Sequence, residues 1–424
     1  MTLLEKDQKH IWHPFTSLQN AGEPLLIESG EGVYLHTKDG RKIIDAVSSW
    51  WVNIHGHSNT VIAKAIYEQA TKLEHVIFAG FTHEPAITLA ENLLTILPGN
   101  QSKTFFSDNG STAVEVGLKM AIQYWHNQGI TTRKKIIALD GAYHGDTFGA
   151  MSVGERGLFT APFNPYLFQV EFIDFPSKEN EAKVIEQFTT IAQSGEVAAF
   201  IYEPLVQGAA GMRMYQPAVL NQLMNIARQH NILCIADEVF TGFGRTGKLF
   251  ASEYLNHPPD IMAVSKGITG GFLPLGVTSC SAQVLSAFQS DEASKTFFHG
   301  HSYTANPISC AAANASFSIL THNNCRQQIA MITQQHQQFA ESIKSHHAIH
   351  EVRALGTIIA IELKTESGTS YTHPLRKKIY PHFLSKGILL RPLGNVIYIL
   401  PPYVITKDDL QYIYQQIKDF ISEL

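Results

Sequence analysis

Cysteine is scarce in this chain of 424 residues: Cys234, Cys280, Cys310 and Cys325 are the whole complement, and no two form a Cys-x-x-Cys pair. A disulfide-stapled scaffold is not expected, and the four read as reduced, buried thiols of a cytoplasmic protein. Long apolar runs are missing too; none reaches the roughly 18 to 20 residues that span a bilayer. The opening residues, MTLLEKDQKHIWHP, carry charges where a secretory signal would carry an apolar core. Charge of one sign is nowhere concentrated: 32 basic side chains face 37 acidic ones, a formal balance of -5. Neither nucleic acid nor an anionic membrane is an expected partner. Histidine is abundant, at 20, yet no HExxH occurs. His55/His57 and His299/His301 lack companion ligands at a recognisable spacing, so no metal is expected. Tryptophan is rare, at four, and two of the four stand side by side in SSWW, residues 48–51. Neighbouring side chains point to opposite faces of a strand and about 100° apart on a helix, so one face of one element cannot bury both rings.

The 44% hydrophobic content supports a substantial core, and the length suggests two domains. GVYLHTKDGRKIIDA reads as two short strands joined by a turn at Asp39-Gly40. From about residue 100, apolar strand-like runs alternate with helical patterns: KTFFS, KKIIALD, VAAFIYE, ILCIADEV and DIMAVSK. Between two of them, PAVLNQLMNIARQH sets Val219, Leu223 and Ile226 on one helical face, with Pro217 in the first turn. That alternation predicts an α/β fold with a mainly parallel sheet covered by helices. After about residue 320 comes a polar helical pattern, then TIIAIEL, GILLRPL and VIYILPPY, consistent with a smaller α+β lobe that the N-terminal strands join. The expected division is 1–55 and 321–424 in the small domain and 56–320 in the large one.

GFGRTG, residues 242–247, matches two nucleotide-binding patterns and satisfies neither. A dinucleotide fingerprint needs a helix at once within its βαβ unit, and the next apolar strand begins near Ile261. A P-loop needs a hydroxyl after its lysine, and Leu249 follows Lys248. A glycine-rich loop is the expectation.

Three strand ends carry chemistry. VAAFIYEP reaches Glu203, ILCIADEV reaches Asp237 and DIMAVSKG reaches Lys266. Carboxyl ends of strands line the ligand crevice of an open α/β sheet. A partly desolvated lysine becomes a nucleophile, and a buried carboxylate needs a cation. Together they suit pyridoxal phosphate, the lysine forming a Schiff base and the aspartate holding the pyridine nitrogen protonated. A structural Asp–Lys ion pair fits those two residues equally well. FFSDNGSTAVEVGLKMAIQYW is a strand, a turn and a helix whose N-terminus offers a phosphate site at Gly110 and Ser111. Thr112 and Glu115 have the spacing of a capping box there. ALDGAYHGDTFGAMS places Tyr143 where an aromatic can stack on a pyridine ring.

The order Gly110-Ser111, Tyr143-His144-Gly145, Glu203, Asp237-Glu238, Lys266 and HGHSYTANP resembles the class III aminotransferases of fold type I, over nearly the whole chain. WHPF (12–15), SSWW, YHGDTFGAMS, GFGRTGKLFA and RPLGNVIYILPPY are similar to the branch that moves an amino group from S-adenosylmethionine to 8-amino-7-oxononanoate. The resemblance implies that Lys266 holds the cofactor and shuttles a proton, Asp237 pairs with the pyridine nitrogen, and Glu203 orients the ring region. It implies a homodimer with shared sites, in which Ser302 of the partner subunit, where Thr is usual, completes the phosphate cup beside His301. It assigns Phe15, Trp50, Tyr143, Lys266, Gly300, Arg391 and Tyr398 to the substrates, with Arg391 taking the acceptor carboxylate. Phe15 departs from the Tyr of many members, which bears on affinity and not on the reaction. Three rivals stand beside this reading: lysine as donor, another ω-aminotransferase or aminomutase, and a nucleotide-binding or structural α/β protein.

Overall fold

Strands buried on both faces must be apolar almost throughout, and the runs near residues 136, 197, 233 and 261 meet that condition, whereas the run near 103 is polar and exposed in its first half. The computed structural model describes residues 1–366 and 368–424. N-terminal strands β1 (Ile27–Glu31), β2 (Tyr34–Thr37) and β3 (Lys42–Asp45) precede β4 (Gln101–Ser107), β5 (Lys135–Leu139), β6 (Glu171–Ile173) and β7 (Val197–Tyr202). A short pair, β8 (Val206–Gln207) and β9 (Arg213–Met214), leads to β10 (Leu233–Asp237), β11 (Ile261–Val264) and β12 (Gly276–Ser281). The last strands are β13 (Ile349–Leu355), β14 (Ile358–Leu363), β15 (Ile388–Leu389) and β16 (Val396–Ile399).

Among the described residues the large sheet has the order β4-β12-β11-β10-β7-β5-β6. Its strands run one way except β12, which is antiparallel to both β11 and β4. Period-two alternation divides β5 between two cores: Ile136 and Ala138 pack on the side of helix Gly110–Asn127, while Ile137 and Leu139 join the cluster on the other face. Helix Pro217–Gln229 buries Val219, Leu220, Leu223, Met224 and Ala227 and leaves Ile226 half-buried. The sequence stripe of Val219, Leu223 and Ile226 is thus displaced, because the helix packs on helix Glu181–Ala192 as well as on β10.

The two strands read in GVYLHTKDGRKIIDA are β2 and β3, antiparallel around Gly40 at φ +84°. β3 pairs in parallel with β15, so chain from both ends meets in one sheet. β13, β14 and β16 form another. GFGRTG lies in a run of turns with no helix opening from it, as expected of a glycine-rich loop. Cys234, Cys280, Cys310 and Cys325 are all buried and free. Among the described residues no helix is long and apolar enough to cross a membrane.

Candidate active site

The carboxyl ends of parallel strands converge on one cavity of about 650 Å³. β4 delivers Asp108, Asn109, Gly110 and Ser111; the chain after β5 delivers Tyr143, His144 and Asp146; β7, β10 and β11 deliver Glu203, Asp237 and Lys266. Strand-end placement is what the sheet topology predicts for a ligand site.

Lys266 follows β11 at φ 46°, a left-handed conformation uncommon for a residue with a Cβ. Its ammonium lies over the rings of Trp51 and Phe240, 4.8 and 5.7 Å from their centroids. Burial pulls its pKa down from 10.5 to about 8; the carboxylates of Asp237 and Glu203 resist that fall, and the Arg245 guanidinium adds to it. Burial pushes the Glu203 carboxyl up to about 7, against the pull of His144 and with the charge of Asp237 adding to the rise. Both its oxygens are taken by backbone amides, from Tyr143 to Oε1 and from Gly208 to Oε2, each at 3.0 Å. Asp237 is fixed as firmly: Val239 N donates to Oδ1 at 3.0 Å, and His144 Nδ1 donates to Oδ2 at 2.7 Å. His144 is a partner that sequence reasoning missed, although it stands inside the motif that supplied Tyr143. No spacing links residue 144 to residue 237.

The depressed Lys266 pKa has a direct consequence. A lysine is reactive only as the neutral amine, so competitive acetylation of the cofactor-free protein should rise with pH at Lys266 and level off above about 8, whereas an ordinary lysine keeps rising to roughly 10.4. Peptide mass spectrometry across pH 6 to 11 reads the two curves. A Lys266 curve that tracks the surface lysines would show that burial does not set its proton affinity.

At the opposite end, helix Gly110–Asn127 begins at the cavity. Its capping box is Asn109 with Thr112, not Thr112 with Glu115: Thr112 N donates to Asn109 Oδ1 at 2.9 Å and Asn109 N to Thr112 Oγ1 at 3.1 Å. Glu115 lies three residues beyond the N3 position, which Thr112 holds. It accepts instead from Gly149 N at 2.7 Å, Ala150 N at 3.1 Å and Thr147 Oγ1 at 2.6 Å, tying down the loop that carries Tyr143 and His144. Asn109 satisfies only the Thr112 amide, so the amides of Gly110 and Ser111 remain at the cavity wall without intrahelical partners. Backbone approach is tight: a Cβ at Gly110 would meet Val239 Cγ1 at 2.6 Å, and one at Gly145 would meet Ser111 Oγ at 2.3 Å.

These features test whether pyridoxal phosphate fits. One end of the cavity holds acids and a lysine of lowered pKa; the other ends on a helix N-terminus with free amides and the hydroxyl of Ser111. A molecule with a cationic ring nitrogen at one end and a phosphate at the other matches both. Tyr143, partly exposed, forms part of the wall between them. The residues present fit the cofactor.

A second group of predicted residues lies next door. Arg391 sits with its guanidinium 4.2 Å from the Trp50 ring centroid, and Phe15 meets the same indole edge-on at 5.5 Å. Phe159 and Tyr371, which no sequence signal singled out, extend the aromatic run at 5.9 and 4.9 Å centroid separations. Trp51 turns the other way, 6% exposed, into the cavity wall beside Lys266. Tyr398 stands behind it, fully buried, accepting the Trp51 indole N–H at 3.0 Å, so it reaches the cavity only through Trp51. Gly300, His301 and Ser302 do not line the cavity within one chain. They lie before helix Pro307–Thr321, where His301 N donates to Thr304 Oγ1 at 3.0 Å.

The aminotransferase class-III family profile matches residues 17–421. The chain belongs to the class-III aminotransferases, pyridoxal-phosphate-dependent enzymes of fold type I. Within that class it is 49% identical to the adenosylmethionine-8-amino-7-oxononanoate aminotransferase of Synechococcus elongatus, covering 98% of this chain and 99% of that one. The protein of the same name from Geobacter sulfurreducens is 38% identical, over 97% and 95% of the two chains. Among solved structures, the adenosylmethionine-8-amino-7-oxononanoate aminotransferase of Methanocaldococcus jannaschii superposes with a TM-score of 0.94 at 35% identity, covering 99% and 98%. The omega transaminase of Pseudomonas jessenii, solved with PMP, also gives 0.94, at 27% identity over 100% and 99%.

Proposed function

We propose that this chain transfers an amino group from S-adenosylmethionine to 8-amino-7-oxononanoate, yielding 7,8-diaminononanoate for biotin synthesis, as a cytoplasmic homodimer. The observation that carries this reading is the 49% identity, end to end, with the Synechococcus elongatus protein of that name. Overall shape does not choose the substrates, since an adenosylmethionine-dependent relative and an omega transaminase superpose equally well. The aromatic-and-arginine group at Phe15, Trp50 and Arg391 agrees with the reading. Flat aromatic faces suit both an adenosyl sulfonium and an alkyl chain, and a guanidinium suits the acceptor carboxylate.

Bound in the cavity, pyridoxal phosphate supplies an electron sink and a carrier for the amino group between the two half-reactions. Gly110 and Ser111 would hold the phosphate, joined by His301 and Ser302 of the partner subunit. Tyr143 would stack on the ring, and Glu203 keeps the Tyr143 loop in register through the Tyr143 amide. Asp237 would present its carboxylate to the ring nitrogen and hold a proton there, with His144 fixing the orientation of Oδ2. Lys266, whose proton burial makes easier to give up, moves a proton at Nζ to and from the substrate carbon.

Replacing Asp237 by Asn keeps the shape and removes the charge. Asp237→Asn should retain cofactor, because the phosphate end is untouched, while kcat falls by about 100-fold or more. Single-turnover absorbance of the cofactor-loaded variant checks this. Near-native rates would remove the ring-nitrogen role of Asp237. The assay of the reaction itself is 8-amino-7-oxononanoate with S-adenosylmethionine, product identified by mass; turnover of 4-aminobutyrate or ornithine in its place would point to another ω-aminotransferase.

A further inference from the structure

The turn that carries the adjacent tryptophans is held in an unfavourable conformation by a buried acid. Ser48, Ser49 and Trp51 all have positive φ (51°, 61° and 70°) without a glycine among them. Ser49, at φ 61° and ψ -77°, is close to the γ-turn that proteins seldom adopt because it is strained. Such a conformation persists only where the surroundings over-determine it. Here they do. Asp45, at the end of β3, is 0% exposed. Its Oδ1 accepts from Val47 N at 3.2 Å, and its Oδ2 accepts from Ser49 Oγ at 2.9 Å and pairs with His57 Nε2 at 2.9 Å. Asn53 Nδ2 holds the other side of the His57 ring at 3.0 Å. Ser48 Oγ donates to Leu400 O at 2.7 Å, and Arg245 donates to Trp51 O at 3.1 Å and Pro401 O at 2.9 Å.

The result of the strain is a split in direction. Trp51 faces Lys266, whereas Trp50 faces outward under the Arg391 guanidinium. Trp51 is tied by Arg245 and by Tyr398, on opposite ends of the residue. On the Trp50 side, the tether next in sequence is the Ser49 hydroxyl on Asp45. We propose that Asp45 is a positioning residue that, through Ser49, holds the Trp50 indole against Arg391 and so sets the affinity of the site for its substrates. This rests on the reading that Trp50 and Arg391 face those substrates. Neither Asp45 nor Ser49 lines the cofactor cavity, so the clasp acts on binding and leaves the proton transfer at Lys266 alone.

Ser49→Gly isolates the clasp. Glycine accepts the φ of 61° without steric cost, so the fold is kept, and the hydroxyl is lost together with the Cβ that carries it. The cofactor-loaded enzyme labelled with 5-fluorotryptophan gives a fluorine resonance for Trp50, assigned by its disappearance in Trp50→Val. In Ser49→Gly that resonance should shift or broaden while Trp125, in a distant helix, stays. The KM for both substrates should rise by about fivefold or more, with kcat within about twofold, and Ser49→Gly should add nothing further in a Trp50→Val background. An unmoved Trp50 resonance, or unchanged KM values where Trp50→Val raises them, overturns the clasp. If Trp50→Val itself leaves both KM values unchanged, the substrate role of Trp50 is what fails, and the proposal goes with it even where the resonance has moved.

Discussion

Lys266→Ala should fold, bind pyridoxal phosphate without a covalent bond, and lose transamination by at least about 10⁴-fold, the upper range for removing a positioned proton carrier. The side chain leaves a cavity wall, so little packing is lost, and the phosphate end at Gly110 and Ser111 is intact. The loss should be mainly in kcat, as expected of a group proposed to move a proton at the reacting carbon. Borohydride treatment of the loaded native enzyme should add cofactor mass to the peptide that contains Lys266, and the variant should show none. Residual turnover above about 1% in Lys266→Ala would mean that another base serves the reaction.

The second large effect is expected at Arg391. Its guanidinium is half-buried, lies over Trp50, and forms no salt bridge among the described residues. Arg391→Ala should raise the KM for 8-amino-7-oxononanoate by about 30-fold or more, the lower end of the roughly 2 to 5 kcal/mol that a buried charged contact is worth. The KM for S-adenosylmethionine should change far less, and kcat at saturation should hold. Steady-state kinetics with each substrate varied in turn separates the two. Equal rises for donor and acceptor would make Arg391 a support for Trp50 and nothing more.

What the sequence disclosed follows from which forces are local. Parallel strands covered on both faces are continuous apolar runs, so β5, β7, β10 and β11 stood out, and with them Glu203, Asp237 and Lys266 at their ends. β12, GVTSCS, did not. It is rich in hydroxyls, and those hydroxyls are buried because they find partners distant in sequence, Thr278 on Ala113 O and Ser279 on Gln101. The helix start at Gly110 was legible, but its cap was misplaced, since Glu115 bonds to amides more than 30 residues away. His144 on Asp237 and Asp45 on Ser49 are contacts of the folded chain that no periodicity announces. The SSWW question has a tertiary answer: neither strand nor helix, the segment is a strained turn whose two indoles serve different walls.

The identity of the donor and acceptor is what distinguishes this enzyme from other class-III aminotransferases. The most direct test supplies the purified, cofactor-loaded enzyme with 8-amino-7-oxononanoate and equal amounts of S-adenosylmethionine and lysine, only one of the two carrying a ¹⁵N amino group in each experiment, and reads the product by mass spectrometry. The expected product is 7,8-diaminononanoate whose new nitrogen comes from S-adenosylmethionine. Label arriving from lysine instead, or no diaminononanoate from either donor, would contradict it.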